Sequence, residues 1–310
     1  MSLSSPPQAV LHIGLPKTGT TALQQHFFPA LPDDRFTYIG TDQPRPNRGG
    51  VAYRAIMDAL NCPADIRDVR VYQAQAQLAQ LPQQKTLVLS EELITVDGLV
   101  PWQEKVARLG KIFSYHTCTL VMTVREPRSG LFSLYVELFR SLEMRFPTFA
   151  DFAASNQAQI FDFHDLASVA HNAFPATSIV LIPFEELRPG GTFLSRFADI
   201  FEIRPPSHLP KENNTKTYYG DAVRIPALSL EQGLERWEDA HPLWLLRKLA
   251  RLTRRLLRPV GGPLNHIQMP GSERLITIPE PSCVSLRYAE SNNWLLINYE
   301  IDYQSVTSGD

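Results

Sequence analysis

Apolar residues gather along the chain in short blocks, and between the blocks they recur at every third or fourth position. The blocks at residues 10–13 (V-L-H-I), 36–39 (F-T-Y-I), 86–89 (T-L-V-L), 117–124 (T-C-T-L-V-M-T-V) and 178–184 (S-I-V-L-I-P-F) are rich in β-branched and aliphatic side chains. Runs of that length and type suit strands buried in a parallel sheet. The longest, 117–124, is expected to be a central strand. The stretches between them read as helices. The first starts at Thr20, carries Leu23 and Phe27 on one face, and stops at Pro29. Two more precede residue 85, and others cover 101–112, 149–174 and a segment opened by Gly190 and Gly191 that runs through Phe193, Phe197 and Ile200. Pro127 suits the first position of another helix, because its fixed φ and missing N–H cost nothing there. In that helix Leu131, Leu134, Tyr135 and Leu138 form an apolar face. Ser129, Ser133, Glu137 and Arg140 recur on a polar one, so Ser133 is expected to face away from the core. A closing helix over 282–299 carries Leu286, Ala289, Asn293 and Ile297 on one side. The pattern is that of an α/β chain with a parallel sheet.

The junction between the first strand and the first helix, G-L-P-K-T-G-T-T at 14–21, carries the strongest chemical signal. Gly14 allows the turn, and Gly19 lets the backbone come close to a ligand. The free N–H groups of a first helical turn and the positive end of the helix dipole favour a bound phosphate or similar anion, with Thr18, Gly19, Thr20 and Thr21 as donors. A nucleoside-triphosphate P-loop, G-x-x-x-x-G-K-[ST], has the same glycine spacing and a Ser/Thr where this chain has Thr21. Its lysine position is filled by Thr20, and Lys17 lies three residues earlier, so its ammonium approaches the anion from the loop.

Lys17, Thr18, Gly19, Thr20 and Thr21 after Pro16 make this stretch resemble the 5′-phosphosulfate loop of bacterial-type sulfotransferases that use 3′-phosphoadenosine 5′-phosphosulfate. Arg125 at the end of the 117–124 run and Ser133 eight residues on resemble the 3′-phosphate motif of that family, R-x-P-x-x-x-x-x-S. An arginine offers a fork of donors to a phosphate, and a serine hydroxyl completes the shell. Ser90, Glu91 and Glu92 follow the 86–89 run, and carboxyl ends of strands are where ligands gather in open α/β sheets. The S-E-x-L pattern there resembles the family's S-S-E motif, with Glu91 as the candidate general base. Glu91 or Glu92 could equally cap the following turn or pair with an arginine, and the sequence separates the two weakly.

The resemblance further implies that the glutamate after the 178–184 run is structural, that Asn214 and Lys216 lie near the cofactor, and that the terminal helix packs on the core. A solvated loop is the competing account of 205–221. Implied too is a three-layer parallel sheet with helices on both faces, the P-loop NTPase-like sulfotransferase fold. It would form a single domain over 1–310 with a variable helical segment at about 220–280. The activity implied is sulfuryl transfer from 3′-phosphoadenosine 5′-phosphosulfate, as co-substrate and without a metal, to an acceptor hydroxyl on a saccharide or glycoconjugate. Lys17 and Glu91 would be catalytic. Pro16, Lys17, Thr18, Gly19, Thr20, Thr21, Arg125, Ser133, Asn214 and Lys216 would hold the nucleotide. A P-loop nucleotide-dependent kinase and a non-catalytic anion- or nucleotide-binding module stay open as alternatives.

Charge changes this picture little. The 310 residues carry 30 Lys+Arg and 32 Asp+Glu, so nothing points to a nucleic-acid partner. Cys62, Cys118 and Cys283 form no close pair, which suits a reducing compartment. The histidines show no metal-ligand spacing, and His12 inside the first strand reads as a satisfied core or cleft residue. Residues 1–8 lack a signal-peptide pattern and no run is long enough to span a bilayer, so a cytoplasmic protein is expected. Residues 243–258 hold six basic and no acidic side chains with Trp244 among leucines, a cationic amphipathic helix that could rest on an anionic membrane or pack on the domain. Arg45, Arg48 and Arg54, in and just beyond a polar loop at 41–50, are candidates to border the acceptor.

Overall fold

The computed structural model describes residues 6–43, 49–96, 98–175, 177–210, 217–219, 222–227, 272–280 and 282–303. The chain divides into two compact units, Met1–Asn213 with Pro279–Asp310, and Asn214–Ile278. Within the first unit, β1 (Gln8–His12), β2 (Phe36–Tyr38), β3 (Thr86–Ser90), β4 (Thr117–Val124) and β5 (Ser178–Pro183) form one sheet in the order β2-β3-β1-β4-β5. Every neighbouring pair in it is parallel. All five apolar runs are strands, and 117–124 is interior as expected, flanked by β1 and β5.

Strand alternation assigns the faces. Val10 pairs with Val88, and His12 pairs with both Ser90 and Val121, so Val10, His12, Val88, Ser90, Val121 and Thr123 point to one side. That side meets the first helix and α8 (Phe193–Phe201) in a cluster holding Phe27, Phe28, Phe193, Phe197 and Phe201. The three phenylalanines of α8 stand four residues apart and therefore share one helical face. Rings of Phe27, Phe28 and Phe197 meet edge to face, 5.5–6.0 Å between centroids. The opposite side, with Leu11, Leu89 and Leu120 fully buried, is covered as well. On that layer α4 (Trp102–Ile112) packs against α7 (Phe163–Ala173) and against α2 (Val51–Asn61), which packs on α3 (Arg67–Leu78). The sheet is thus sandwiched between two helical layers, the expected α/β architecture.

Three local departures have identifiable causes. The first helix, α1 (Thr20–Ala22), widens into a π turn over Leu23–Phe27 and ends in a 3-10 turn over Phe28–Ala30, where Pro29 has no N–H to donate. The 149–174 stretch is not one helix. It breaks into α6 (Phe149–Ala153), started by a capping box at Thr148, then a 3-10 turn, and α7, which Asp162 caps afresh. In the terminal helix α9 (Ser282–Tyr299) the buried face carries Val284, Tyr288, Ser291 and Leu295, while Ile297, on the side grouped by its apolar period, is 71 % exposed. Ser291 Oγ accepts the Phe163 and His164 amides at 2.7 and 3.3 Å, which turns that face inward onto the start of α7.

In the second unit β6 (Thr217–Tyr219), β7 (Ala222–Ile225) and β8 (Arg274–Thr277) form an antiparallel sheet, with Arg224 and Glu273 paired at 2.7 Å. The described ends of the segment expected to be helical, 222–225 and 274–277, are therefore strands. Residues 243–258, Arg45, Arg48, Asn214 and Lys216 lie outside the described residues.

Candidate nucleotide site

The loop leaving β1 is built almost entirely by its backbone. Lys17 (φ 68°) and Gly19 (φ 77°) both lie in the left-handed region, which folds the loop back toward the helix start. For Lys17 that conformation costs about 1–2 kcal/mol. Arg125 helps to hold it, since its Nη1 donates to the Lys17 carbonyl at 2.9 Å. At Gly19 any side chain would be strained by φ, and a Cβ would stand 3.3 Å from both Phe184 and Leu187. Thr18 and Thr20 are buried, whereas Lys17, Gly19 and Thr21 are partly open to solvent. The Thr18 hydroxyl turns inward and donates to the Leu15 carbonyl at 2.6 Å, so that hydroxyl serves the fold of the loop.

Arg125, at the end of β4, meets three elements at once. Besides the Lys17 carbonyl it reaches Ser129 Oγ at 3.2 Å, and its guanidinium lies 4.8 Å above the Phe184 ring. Ser129 opens the polar face of α5 (Pro127–Leu142). One helical turn on, Ser133 is buried at 5 % exposure, contrary to the expectation that it faces away from the core. Another turn on, Glu137 Oε2 lies 2.5 Å from the Lys17 ammonium. The polar face of α5 is therefore turned toward the loop, held by Arg125 at one end and Lys17 at the other, which is why a serine on it is buried. Pro16, Lys17, Thr18, Gly19, Thr20 and Thr21 thus share one neighbourhood with Arg125 and Ser133.

Glu126, which sequence reasoning passed over, and Glu185 fix this junction. The Glu126 carboxylate caps α5 by accepting the amides of Arg128 and Ser129 at 2.9 and 2.7 Å. Glu185 accepts the Glu126 amide at 2.9 Å and the Tyr303 hydroxyl at 3.1 Å. Burial raises the Glu185 pKa, partly offset by that amide. Its role is structural, in line with expectation, and it ties the β4–α5 junction to the C-terminal segment. An acidic residue directly before Pro at a helix start was the available signal for Glu126.

Glu91 lies beside the loop, because its amide donates to the His12 carbonyl at 3.0 Å. Its side chain is fully buried. Oε1 accepts the Leu93 amide at 2.8 Å and so caps the turn Glu92–Thr95, while Oε2 accepts the Tyr53 hydroxyl in a short bond. The far end of that turn is held by Lys105, whose Nζ donates to the carbonyls of Leu93 and Val96 at 3.2 and 2.8 Å. Glu92 is less buried and accepts from Gln24 Nε2 at 3.2 Å. Arg54 is exposed and donates to the Gly49 carbonyl at 3.0 Å.

His12 fills the space beneath both segments. It is fully buried, 2.8 Å from Ser90 Oγ through Nδ1 and 3.4 Å from Thr123 Oγ1 through Nε2. Burial pushes its pKa down to about 3, so the ring is neutral at physiological pH. It is the satisfied histidine that the sequence predicted.

Among the described residues no group of acidic, histidine or cysteine side chains could hold a metal ion, and no helix is long and apolar enough to cross a membrane. No family model and no curated protein matches the chain. Among solved structures it is similar to a sulfotransferase from Alicyclobacillus acidocaldarius, at 13 % identity over 68 % of this chain and 88 % of that one, with a TM-score of 0.40. The mouse sulfotransferase SULT7A1, solved with PAP, follows at 14 % identity over 65 % of this chain and 61 % of that one, TM-score 0.34. A PezAT toxin–antitoxin structure from Streptococcus pneumoniae is also similar, at 16 % identity over 58 % of this chain and 69 % of that one, TM-score 0.28. The likeness is one of fold, and it is remote.

Proposed function

We propose that the chain transfers a sulfuryl group from 3′-phosphoadenosine 5′-phosphosulfate to an acceptor hydroxyl, on a saccharide or glycoconjugate. The observation that carries the reading is the hydrogen bond from Arg125 to the Lys17 carbonyl. It joins the anion loop after β1 to the arginine after β4, as a nucleotide with phosphates at both its 5′ and 3′ positions requires. The loop amides and Lys17 would stabilise charge that develops on the 5′-phosphate as the bond to sulfur breaks, a contribution of about 10² to 10³ in rate for one preorganised donor. Arg125 and Ser133 would hold the 3′-phosphate and give register rather than chemistry. Glu91 would accept the proton of the acceptor hydroxyl. At least two of the roughly four acceptor positions of its carboxylate are already used, by Leu93 and Tyr53.

Calorimetric titration of 3′-phosphoadenosine 5′-phosphate without magnesium, and of ATP with magnesium, tests the reading. 3′-Phosphoadenosine 5′-phosphate is expected to bind the unaltered protein, and to bind Arg125→Ala about 10- to 100-fold more weakly, as for the loss of charge-assisted hydrogen bonds. Preference for ATP with magnesium, indifferent to Arg125, would replace the reading with that of a kinase.

A further inference from the structure

Beneath the proposed nucleotide loop, five polar side chains are buried together: His12, Thr18, Ser90 and Thr123 at 0 % exposure and Gln24 at 1 %. One fixed acceptor sets the direction of every bond among them. The Leu15 carbonyl can only accept, so the single Thr18 hydroxyl proton, 2.6 Å away, is spent on it. Thr18 Oγ1 must therefore accept from Thr123, whose oxygen lies 2.6 Å away. With its proton used, Thr123 can only accept from His12 Nε2 at 3.4 Å. That makes the ring the Nε2–H tautomer, so Nδ1 is an acceptor and takes the Ser90 hydroxyl proton at 2.8 Å. Ser90 Oγ in turn accepts from Gln24 Nε2 at 3.4 Å, and Gln24 Oε1 accepts from Gln43 Nε2 at 2.7 Å. The chain of bonds runs without a reversal from the loop after β1 to the segments after β2 and β3. Gly14 leaves room for the link between His12 and Thr123, since a Cβ there would stand 2.4 Å from Thr123 Oγ1 and 2.7 Å from His12 Nε2.

We propose that His12 is a positioning residue, a neutral bridge of fixed tautomer that couples the conformation of the anion loop at Leu15–Thr18 to that of the carboxylate segment at Ser90–Glu92. A ring that donates on one side and accepts on the other transmits a change at either end, because neither hydroxyl can rotate without leaving a buried group unpaired. For its functional meaning the proposal rests on the nucleotide site proposed above.

The test uses the full chain labelled with ¹⁵N, as the unaltered protein and as Ser90→Ala, Thr123→Val and Thr123→Ser. Imidazole nitrogen shifts are expected to report the Nε2–H tautomer for His12 in the unaltered protein and in Thr123→Ser, which keeps the hydroxyl. Ser90→Ala, a change on β3, is expected to move the Thr18 and Gly19 amide resonances. It is also expected to weaken binding of 3′-phosphoadenosine 5′-phosphate roughly 3- to 10-fold, the effect of one buried uncharged hydrogen bond. Thr123→Val should do the same and Thr123→Ser should restore binding. An Nδ1–H tautomer in the unaltered protein, or loop amides unmoved by Ser90→Ala, would overturn the proposal. If the nucleotide fails to bind the unaltered protein, the functional reading alone falls, because the two magnetic-resonance readouts need no ligand.

Discussion

The loop after β1 and the turn after β3 leave adjacent strands at the same level of the sheet, where His12 pairs with Ser90, yet they are built in opposite ways. The loop is made by backbone: two left-handed residues, a glycine and a helix start, with Lys17 and Gly19 partly open to solvent. The turn is made by side chains: Glu91 caps it, Tyr53 holds Glu91, and Lys105 satisfies its last carbonyls. A cradle of backbone amides can meet an anion without rearranging. A carboxylate engaged on both oxygens has to share its lone pairs with a substrate or give up a partner. Place at the carboxyl end of a strand therefore does not by itself assign a role, and the two segments call for different tests.

Removing the charge of Glu91 is the sharpest test. Glu91→Gln is expected to lower kcat for sulfuryl transfer by about 10² to 10⁴ with nucleotide affinity unchanged, the range for a general base. If the variant loses cooperative unfolding instead, Glu91 is the lock of its turn and nothing more, and Glu92→Gln should then carry the loss of rate. On the loop side, Lys17→Ala is expected to lower kcat about 10²- to 10³-fold. A change confined to KM in that variant would make Lys17 a binding residue that contributes equally before and during the reaction.

Which parts of this comparison were legible in the sequence follows from how each is built. Backbone chemistry shows in residue types, because Gly14, Gly19 and the strand before them admit few alternatives, and the turn between β1 and α1 stands at those glycines. Strands buried on both faces announce themselves as unbroken apolar runs, so all five were visible. What a side chain does once buried depends on partners far away in sequence. The choice between base and cap for Glu91 turns on Tyr53 and Leu93, and the burial of Ser133 on the loop opposite α5. The inward face of α9 does not show in its apolar period, because Ser291, a polar residue, is buried there as a cap for α7. A helical period cannot reveal a polar residue whose partner lies on another helix.

His12 joins the two segments, and its burial predicts a pH dependence. In the unfolded chain the ring takes up a proton below about pH 6.5, whereas in the fold it does so only near 3. Between those values the unfolded state binds more protons. Stability is then full above about 6.5 and falls as pH falls, by up to about 1.4 kcal/mol per pH unit. Denaturant unfolding between pH 7 and 5, above the range where carboxylates dominate, is expected to show this slope in the unaltered protein and a flatter one in His12→Gln. Equal slopes would mean that the ring is protonated in the fold, which the acceptor role of Nδ1 toward Ser90 forbids.

The smallest expected effect separates the loop's backbone from its partly exposed cation. Lys17 and Glu137 pair at 2.5 Å with side-chain exposures of 24 and 52 %, so each keeps much of its hydration and the pair is weak. Pairs of this kind are worth about 0.2–1 kcal/mol. An anion at the loop competes with Glu137 for the same ammonium. Glu137→Gln is accordingly expected to tighten binding of 3′-phosphoadenosine 5′-phosphate by about 1.5- to 5-fold at low salt. The gain should vanish near 1 M salt, where the screening length shrinks to about 3 Å. Weaker binding in the variant would reverse the assignment: Glu137 would then be holding Lys17 in its working position, and α5 rather than the loop backbone would set where the charge sits.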